Sequence, residues 1–238
     1  MHKKYRKLLF DLDNTLVDDD KNREYAIGKM LADMGEEVTH EKIQKFIEMD
    51  NKFWIDRSAG RIKDPYEFKS NEEQTKWLRA ERIKRYFGDM SLEKATELNT
   101  KYVDLLREKA FPIENSSEIL KYLFDKGYEI YIITNGPKRA VKDKAKGTGG
   151  LEYIREIFAA EEVGYMKPKR EYFNGFFEKI NCYDTSEMLI IGDELEKDIL
   201  GGMNNNIDTC WFNRRGEKST GYKVDYEIKD LLELKEIL

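Results

Sequence analysis

Short apolar runs alternate with longer amphipathic segments over two parts of the chain, residues 1–16 and 110–238. The apolar runs have the length of buried strands, and the amphipathic segments have the 3.6-residue periodicity of helices. Alternation of this kind predicts a parallel sheet with helices on both faces. The predicted strands are residues 6–10, 128–133, 158–160, 188–191 and 209–212. The predicted helices of these two parts are residues 116–126, 138–146, 171–180, 196–203 and 230–238.

The intervening residues 17–109 have helical periodicity, many Lys/Glu pairs and few strand signals. The helices predicted there are residues 22–34, 41–58, 66–87 and 92–109. We therefore predict two domains, an α/β core formed by residues 1–16 and 110–238, and a helical domain inserted after the first strand. Ligands of open α/β sheets bind beyond the carboxyl ends of the strands, so we expect the insert to cover a site there.

Composition narrows the classes of function. The chain has 238 residues, 40% of them hydrophobic, which is enough to bury a core. The net charge is −5 and no long basic block occurs, so a nucleic-acid polymer is not an expected partner. Cys182 and Cys210 lack metal-binding spacing and indicate reduced thiols in a cytoplasmic protein. No segment resembles a signal peptide or a membrane span.

Only two histidines, His2 and His40, are present. This scarcity argues against a Ser-His-Asp or Cys-His hydrolase and against a zinc site. Acid–base chemistry in this chain would therefore depend on carboxylates, lysines or tyrosines.

Three predicted strands end in polar clusters. The first is followed by Asp11-Leu12-Asp13-Asn14-Thr15, another by Thr134-Asn135-Gly136, and a third by Gly192-Asp193. Lys167-Pro168 lies in the loop before the last of these strands, and Asp198 comes five residues after Asp193. Each cluster alone is compatible with an ordinary turn, a helix cap or a solvated loop. Their joint occurrence at strand ends is what indicates a site.

These residue types meet the needs of phosphoryl transfer, which are a nucleophile, neutralisation of charge and a proton for the leaving group. Asp11 can attack and form an aspartyl-phosphate, and Asp13 can face the same crevice as proton donor. Asp11 and Asp193, on neighbouring strands, can hold Mg²⁺, which prefers oxygen ligands. The expected contacts of the phosphoryl oxygens are Thr134, Asn135 and the positive charge of Lys167.

In this order, the four clusters resemble the four motifs of the haloacid dehalogenase (HAD) superfamily. The segment from Asp11 to Leu16 resembles the first motif, Thr134-Asn135 the second, Lys167-Pro168 the third, and Gly192-Asp193 with Asp198 the fourth. The resemblance covers essentially the whole chain. It implies a Rossmann-like α/β core with an inserted helical cap of the C1 type.

The resemblance also implies roles for individual residues. Asp11 would be the nucleophile, and Asp13 the general acid and then the base that activates water. Mg²⁺ would be held by the Asp11 side chain, the Asp13 backbone carbonyl and Asp193, with Asp198 as an outer or additional ligand. Dehalogenases lack the proton donor of position 13, so Asp13 favours a phosphatase. A phosphomutase, a phosphatase of sugar phosphates or phosphoglycolate, and a non-catalytic HAD-like binding module remain alternatives.

A closer likeness concerns the insert. The segments Asn51-Lys52-Phe53-Trp54-Ile55-Asp56 and Gly60-Arg61-Ile62 resemble the cap of a pyrimidine 5′-nucleotidase branch. In the predicted core, residues 161–164, 198–202 and 209–213 also resemble this branch. The likeness implies a small phosphorylated metabolite as partner, most specifically a pyrimidine nucleoside monophosphate. Trp54 could then stack on a base, and Arg61 or Asn51 could reach its polar edges. Alternatively, Phe46, Phe53 and Trp54, at helical spacing, pack the bundle. Both a monomer and a homodimer are compatible with the sequence.

Overall fold

The computed structural model describes residues 4–219 and 221–238, so His2 lies outside the described residues. The chain divides into two compact units. One unit runs up to Asp19 and resumes at Ala110, and the other comprises Asp20–Lys109. In the described residues, no helix combines the length and the apolar character needed to cross a bilayer.

The first unit is built on one sheet, in which the described strands are all parallel and follow the order β3-β2-β1-β4-β5-β6. These strands are β1 (Lys7–Phe10), β2 (Glu129–Thr134), β3 (Ile154–Ala159), β4 (Met188–Gly192), β5 (Asp208–Phe212) and β6 (Tyr226–Ile228). Strand β1 lies between β2 and β4, with Phe10 beside Ile132 and Ile191. Leu8 and Phe10 belong to one hydrophobic cluster and Leu9 to another, so the sheet is covered on both faces. The predicted Rossmann-like α/β core is confirmed.

Helices connect these strands and form the second unit. In chain order the described α-helices are α1 (Asp19–Asp33), α2 (His40–Ser58), α3 (Asn71–Phe87), α4 (Leu92–Glu108), α5 (Ser116–Asp125), α6 (Lys138–Lys146), α7 (Arg170–Ile180), α8 (Leu200–Asn204) and α9 (Leu234–Ile237). Helices α2 and α4 begin after Thr39 and Ser91, whose hydroxyls accept hydrogen bonds from Lys42 N and Lys94 N.

Several elements differ from the sequence prediction, among them the strand predicted over 158–160, which spans Ile154–Ala159. The helix predicted from residue 66 begins at Asn71, because the Ser70 hydroxyl caps it by accepting from Glu73 N at 3.1 Å. The helix predicted over 196–203 is a π-helical turn, Leu195–Ile199, followed by α8. The C-terminal helix is shortened to α9 after a 3₁₀ turn at Leu231–Glu233. Strand β6 was missed because three residues are too few to form an apolar period.

The second unit packs α1–α4 around its own core. Phe46 is fully buried, with ring centroids 5.0 Å from Tyr86 and 5.3 Å from Tyr102. Phe53 is 1% exposed and belongs to a smaller cluster against which Trp54 packs. The packing alternative is therefore confirmed for Phe46 and Phe53, whose burial each contributes about 1.5–3 kcal/mol.

Candidate active site

The candidate functional residues lie where β2, β1 and β4 end. Asp11 follows β1, and its N–H donates to Ile191 O at 2.8 Å, which extends the β1–β4 pairing by one residue. Thr134 is the last residue of β2, and Asp193 follows β4 directly. Because β1 lies between β2 and β4, the sheet brings these three side chains to one edge.

Three carboxylates form an acidic cluster at this edge. Asp11, Asp193 and Asp198 each offer an oxygen, and these oxygens lie within 4.8 Å of one another. The approach of Asp198 depends on Gly192, since a Cβ at that position would stand 2.3 Å from the Asp198 carboxyl carbon. The π-helical turn returns Asp198 toward β4, where Glu194 N donates to its Oδ2 at 3.1 Å.

Burial dominates the electrostatics of the cluster. It raises the pKa of Asp11 to about 8, although the neighbouring Lys167 opposes the rise. Burial, reinforced by the charges of Asp11 and Asp198, raises the pKa of Asp193 well above its usual range. Three carboxylates around one ammonium leave an excess of negative charge in a buried place, which a divalent cation would neutralise. The donor set, made of carboxylate oxygens, fits Mg²⁺.

Lys167 places a positively charged side chain beside the acidic cluster. It is 4% exposed, and its Nζ donates to Asp11 Oδ1 and Asp198 Oδ1, both at 2.6 Å, and to Ile133 O at 3.0 Å. The paired carboxylates raise the pKa of Lys167 against the effect of burial, so it stays protonated. The Asn135 amide holds the Lys167 backbone, donating to its carbonyl at 3.1 Å and accepting from its N–H at 2.8 Å. These contacts make Asn135 a positioning residue for Lys167, and its expected contact with phosphate stays a prediction.

Thr134 and Asp193 are also oriented by hydrogen bonds. The Thr134 hydroxyl oxygen accepts from Gly136 N at 2.9 Å, which leaves its proton available for an incoming oxygen. The backbone carbonyl of Asp193 accepts from Trp211 Nε1 at 2.9 Å. The Thr15 hydroxyl lies 3.4 Å from Asp193 Oδ1 and donates to it. The buried indole of Trp211 and the hydroxyl of Thr15 thus hold Asp193. The backbone of Gly136 holds the Thr134 hydroxyl.

Asp13 lies in the turn after β1, where Asn14 adopts a left-handed conformation with φ of 62°. The Asp13 side chain is 27% exposed, so one part of it is accessible from solvent. Its Oδ1 accepts from Lys144, while its Oδ2 lies 3.1 Å from the place of a Cβ at Gly136. Burial raises the pKa of Asp13, against the lowering effect of Lys144.

The residues predicted to contact a base all belong to the second unit. Asn51 accepts from Arg23 at 2.8 Å through its side-chain oxygen. Trp54 is half-buried and stands edge-to-face with Phe53, with ring centroids 5.2 Å apart. Arg61 is exposed and donates to Asp56 Oδ1 at 2.8 Å. A groove of about 1030 Å³ follows α4 in this unit and is lined by none of these three residues.

The sequence analysis did not identify two residues of the α/β unit that contact aspartates near the candidate site. Lys144 on α6 is 2% exposed and contacts Asp13. Its signal was weak but present, since it falls three and four residues after Val141 and Ala140 on the buried face of an amphipathic helix. Arg214, which donates to Asp18 Oδ2 at 3.3 Å, had no local signal, because it follows β5 in an irregular loop.

Comparison with known proteins agrees with this geometry. The family model described as haloacid dehalogenase-like hydrolase matches residues 8–212. The chain is 28% identical to pyrimidine 5′-nucleotidase PynA of Streptococcus pneumoniae, covering 96% of this chain and 94% of the relative. It is 27% identical to pyrimidine 5′-nucleotidase YjjG of Escherichia coli, over 99% and 98% of the two chains.

A solved structure extends the likeness to three dimensions. The crystal structure of the HAD-hydrolase YfnB from Bacillus subtilis, bound to magnesium, superposes with a TM-score of 0.84 at 28% identity and covers 99% of both chains. The family match spans far more than half of the present chain and includes all four polar clusters. The chain therefore belongs to the haloacid dehalogenase-like hydrolases, as the motifs of its sequence predicted.

Proposed function

We propose that this protein is a magnesium-dependent phosphatase that hydrolyses pyrimidine nucleoside 5′-monophosphates through an aspartyl-phosphate. The observation that carries the proposal is the arrangement of Asp11, Asp13, Lys167 and the acidic cluster at one edge of the sheet. Together they provide a nucleophile, a proton donor, a fixed positive charge and oxygen ligands for a cation, which are the elements of phosphoryl transfer from an ester.

In the first step, a carboxylate oxygen of Asp11 attacks phosphorus and the bond to the ester oxygen breaks. Asp13 gives its proton to that oxygen, so the alcohol leaves neutral. In the second step, Asp13 takes a proton from water, and the resulting hydroxide attacks the phosphorus of the aspartyl-phosphate. Inorganic phosphate is released and Asp11 is regenerated. Lys167 and the Thr134 hydroxyl stabilise the charge of the phosphoryl oxygens throughout.

Magnesium is supported by the charge and chemistry of the cluster. Asp11 and Asp193 would hold the ion, with the Asp13 backbone carbonyl, and Asp198 would act as an outer or additional ligand. When bound, the ion neutralises repulsion between the Asp11 carboxylate and the phosphate anion. Lys167 alone gives one positive charge against three carboxylates, which is insufficient for this purpose.

The substrate class is supported by the full-length similarity to PynA and YjjG, which are named as pyrimidine 5′-nucleotidases. The helical unit Asp20–Lys109 is proposed as the cap domain. Within it, Trp54 is proposed to stack on the base, and Asn51 and Arg61 to contact its polar atoms. Loss of the ring in Trp54→Leu should raise KM for nucleotides more than it lowers kcat.

The test is phosphate release from purified protein with a panel of pyrimidine and purine nucleoside monophosphates, sugar phosphates and phosphoglycolate. Each substrate is measured with Mg²⁺ and with EDTA, for the wild type, Asp11→Asn and Asp125→Asn. Asp125 is an exposed residue of α5 and gives the same chemical change away from the site. We expect release that needs Mg²⁺, is highest on pyrimidine monophosphates, and is lost only in Asp11→Asn.

Other outcomes separate the parts of the proposal. Higher release from sugar phosphates would refute the substrate class and leave the mechanism intact. Full release in EDTA would refute the requirement for a cation. Conversion of a phosphorylated sugar to its isomer without release would indicate a phosphomutase, and no reaction of any substrate would favour a binding module.

A further inference from the structure

A second buried lysine lies beside the site. Lys144 on α6 is 2% exposed, and its Nζ donates to Asp13 Oδ1 and, at 2.5 Å, to Asp19 Oδ1. It is 131 residues from Asp13 in the chain and belongs to none of the four motifs. Removing an ammonium and two carboxylates from water is costly. Their mutual attraction offsets this cost only when the contacts have good geometry, so the ammonium and its partners hold one another in place.

We propose that Lys144 is a positioning residue that holds the Asp13 carboxyl with Oδ2 turned to the substrate for proton transfer. The inference rests on the proposed function, since it assigns how the proton donor of that reaction is oriented. Lys144 itself contacts neither the phosphoryl group nor the leaving group and acts only through Asp13.

The two oxygens of Asp13 are distinguished by their surroundings. Oδ1 is occupied by the ammonium of Lys144, so the proton to be transferred resides on Oδ2. Oδ2 faces Gly136, where a Cβ would stand 3.1 Å both from this oxygen and from the Thr134 hydroxyl. Gly136 thus keeps open the space between the proton donor and a group that contacts the phosphoryl oxygens.

Helix α6, which carries Lys144, is packed along one face and at its end. Its buried face consists of Ala140, Val141, Lys144 and Ala145. At its end, Gly147 approaches Ala110 so closely that a Cβ there would lie 2.2 Å from the Ala110 Cβ. The second partner, Asp19, accepts from the same ammonium, so Lys144 keeps an anionic partner when Asp13 carries the proton.

The orientation of the Asp13 carboxyl affects the cleavage of the ester P–O bond. As the ester P–O bond breaks, its electron pair stays on the leaving oxygen, and the Oδ2 proton of Asp13 passes to that oxygen. An alkoxide, such as the 5′-oxygen of a nucleoside, is a poor leaving group and needs this proton. The p-nitrophenolate anion leaves without it. Loss of orientation should therefore depend on the leaving group.

The experiment measures kcat/KM for uridine 5′-monophosphate and for p-nitrophenyl phosphate with Mg²⁺. The variants are Lys144→Met, Lys144→Arg and, as matched control, Lys142→Met, which changes an exposed lysine of the same helix. The quantity compared is the ratio of the two kcat/KM values within one preparation. This ratio does not depend on the fraction of folded enzyme, so a loss of stability in Lys144→Met does not affect it.

We expect Lys144→Met to lower kcat/KM for the nucleotide by about 10- to 100-fold and that for p-nitrophenyl phosphate by less than about threefold. Lys144→Arg should restore part of the ratio, and Lys142→Met should leave it unchanged. Equal losses on both substrates, or a ratio like that of the control, would overturn the inference while the proposed function stands. If the wild type releases no phosphate from either substrate, the function fails and the inference fails with it.

Discussion

Removal of the Lys167 ammonium tests the buried charge arrangement of the site. Lys167→Met keeps an unbranched side chain of similar length, so packing changes little while the charge is lost. The ammonium donates to Asp11 and Asp198, both at 2.6 Å, and to Ile133 O at 3.0 Å. The side chains of Lys167 and Asp198 are each 1% exposed, so water cannot replace the lost donor.

The expected magnitude follows from this burial. Removing one partner of a buried ion pair leaves an uncompensated charge and costs about 3–5 kcal/mol. Protonation of Asp11 relieves part of this cost, because the loss of Lys167 raises its pKa further, so the destabilisation should be larger at pH 9 than at pH 6. Lys179→Met is the matched control. The Lys179 side chain is 30% exposed, so its ion pair with Glu162 contributes at most about 1 kcal/mol to stability.

The assay is urea unfolding in EDTA, followed by the fluorescence of Trp211 in a background carrying Trp54→Phe and Trp77→Phe. Trp211 is then the only tryptophan, and it is buried in the α/β unit that contains Lys167. The free energy of unfolding is obtained by linear extrapolation. A loss under about 1 kcal/mol at pH 9, equal to that of Lys179→Met, would contradict the described ion pairs.

Two further predictions concern the acidic cluster. Gly192→Ala should displace Asp198, because the new Cβ would lie 2.3 Å from the Asp198 carboxyl carbon. The free energy of unfolding in urea should fall by about 1–3 kcal/mol, and a variant as stable as the wild type would contradict this crowding. In EDTA, the native state keeps a proton on Asp11 up to its pKa of about 8, whereas the unfolded chain loses it near pH 4. The free energy of unfolding should therefore fall between pH 5 and pH 8, by at most about 1.4 kcal/mol per pH unit for this proton. If Asp11→Asn shows the same dependence of stability on pH, the raised pKa does not belong to Asp11.

Most of the described sheet could be predicted, because its strands, except the three-residue β6, carry a local apolar signal. Continuous apolar runs are typical of strands covered on both faces, and β1 and β4 contain such runs at Leu8-Leu9-Phe10 and Leu189-Ile190-Ile191. The polar residue after such a run must lie at the carboxyl edge, so Asp11 and Asp193 could be located before the structure was known. Their convergence with Thr134 then follows from the strand order, which parallel crossover connections restrict to few possibilities.

The loop before α7 shows where this reasoning ends. The contact of Asn135 with phosphate stays a prediction, and the structure adds two hydrogen bonds between its amide and the Lys167 backbone, which the sequence did not indicate. These hydrogen bonds join two loops that are 32 residues apart, and no local pattern encodes them. A short polar side chain can bond to a ligand or to a neighbouring backbone equally well, so residue type alone does not decide between them.

Lys144 was overlooked for a related reason. Helix α6 carries four lysines and arginines besides it, and a lysine on a helix is normally solvated. Its burial depends on Asp13 and Asp19, which provide the two carboxylates that make a buried ammonium tolerable. Hydrophobic periodicity identifies the face on which a residue lies, whereas the partner that permits a charge on that face comes from elsewhere in the chain. A charged residue on the apolar face of a predicted helix is therefore a useful pointer to a distant partner of opposite charge.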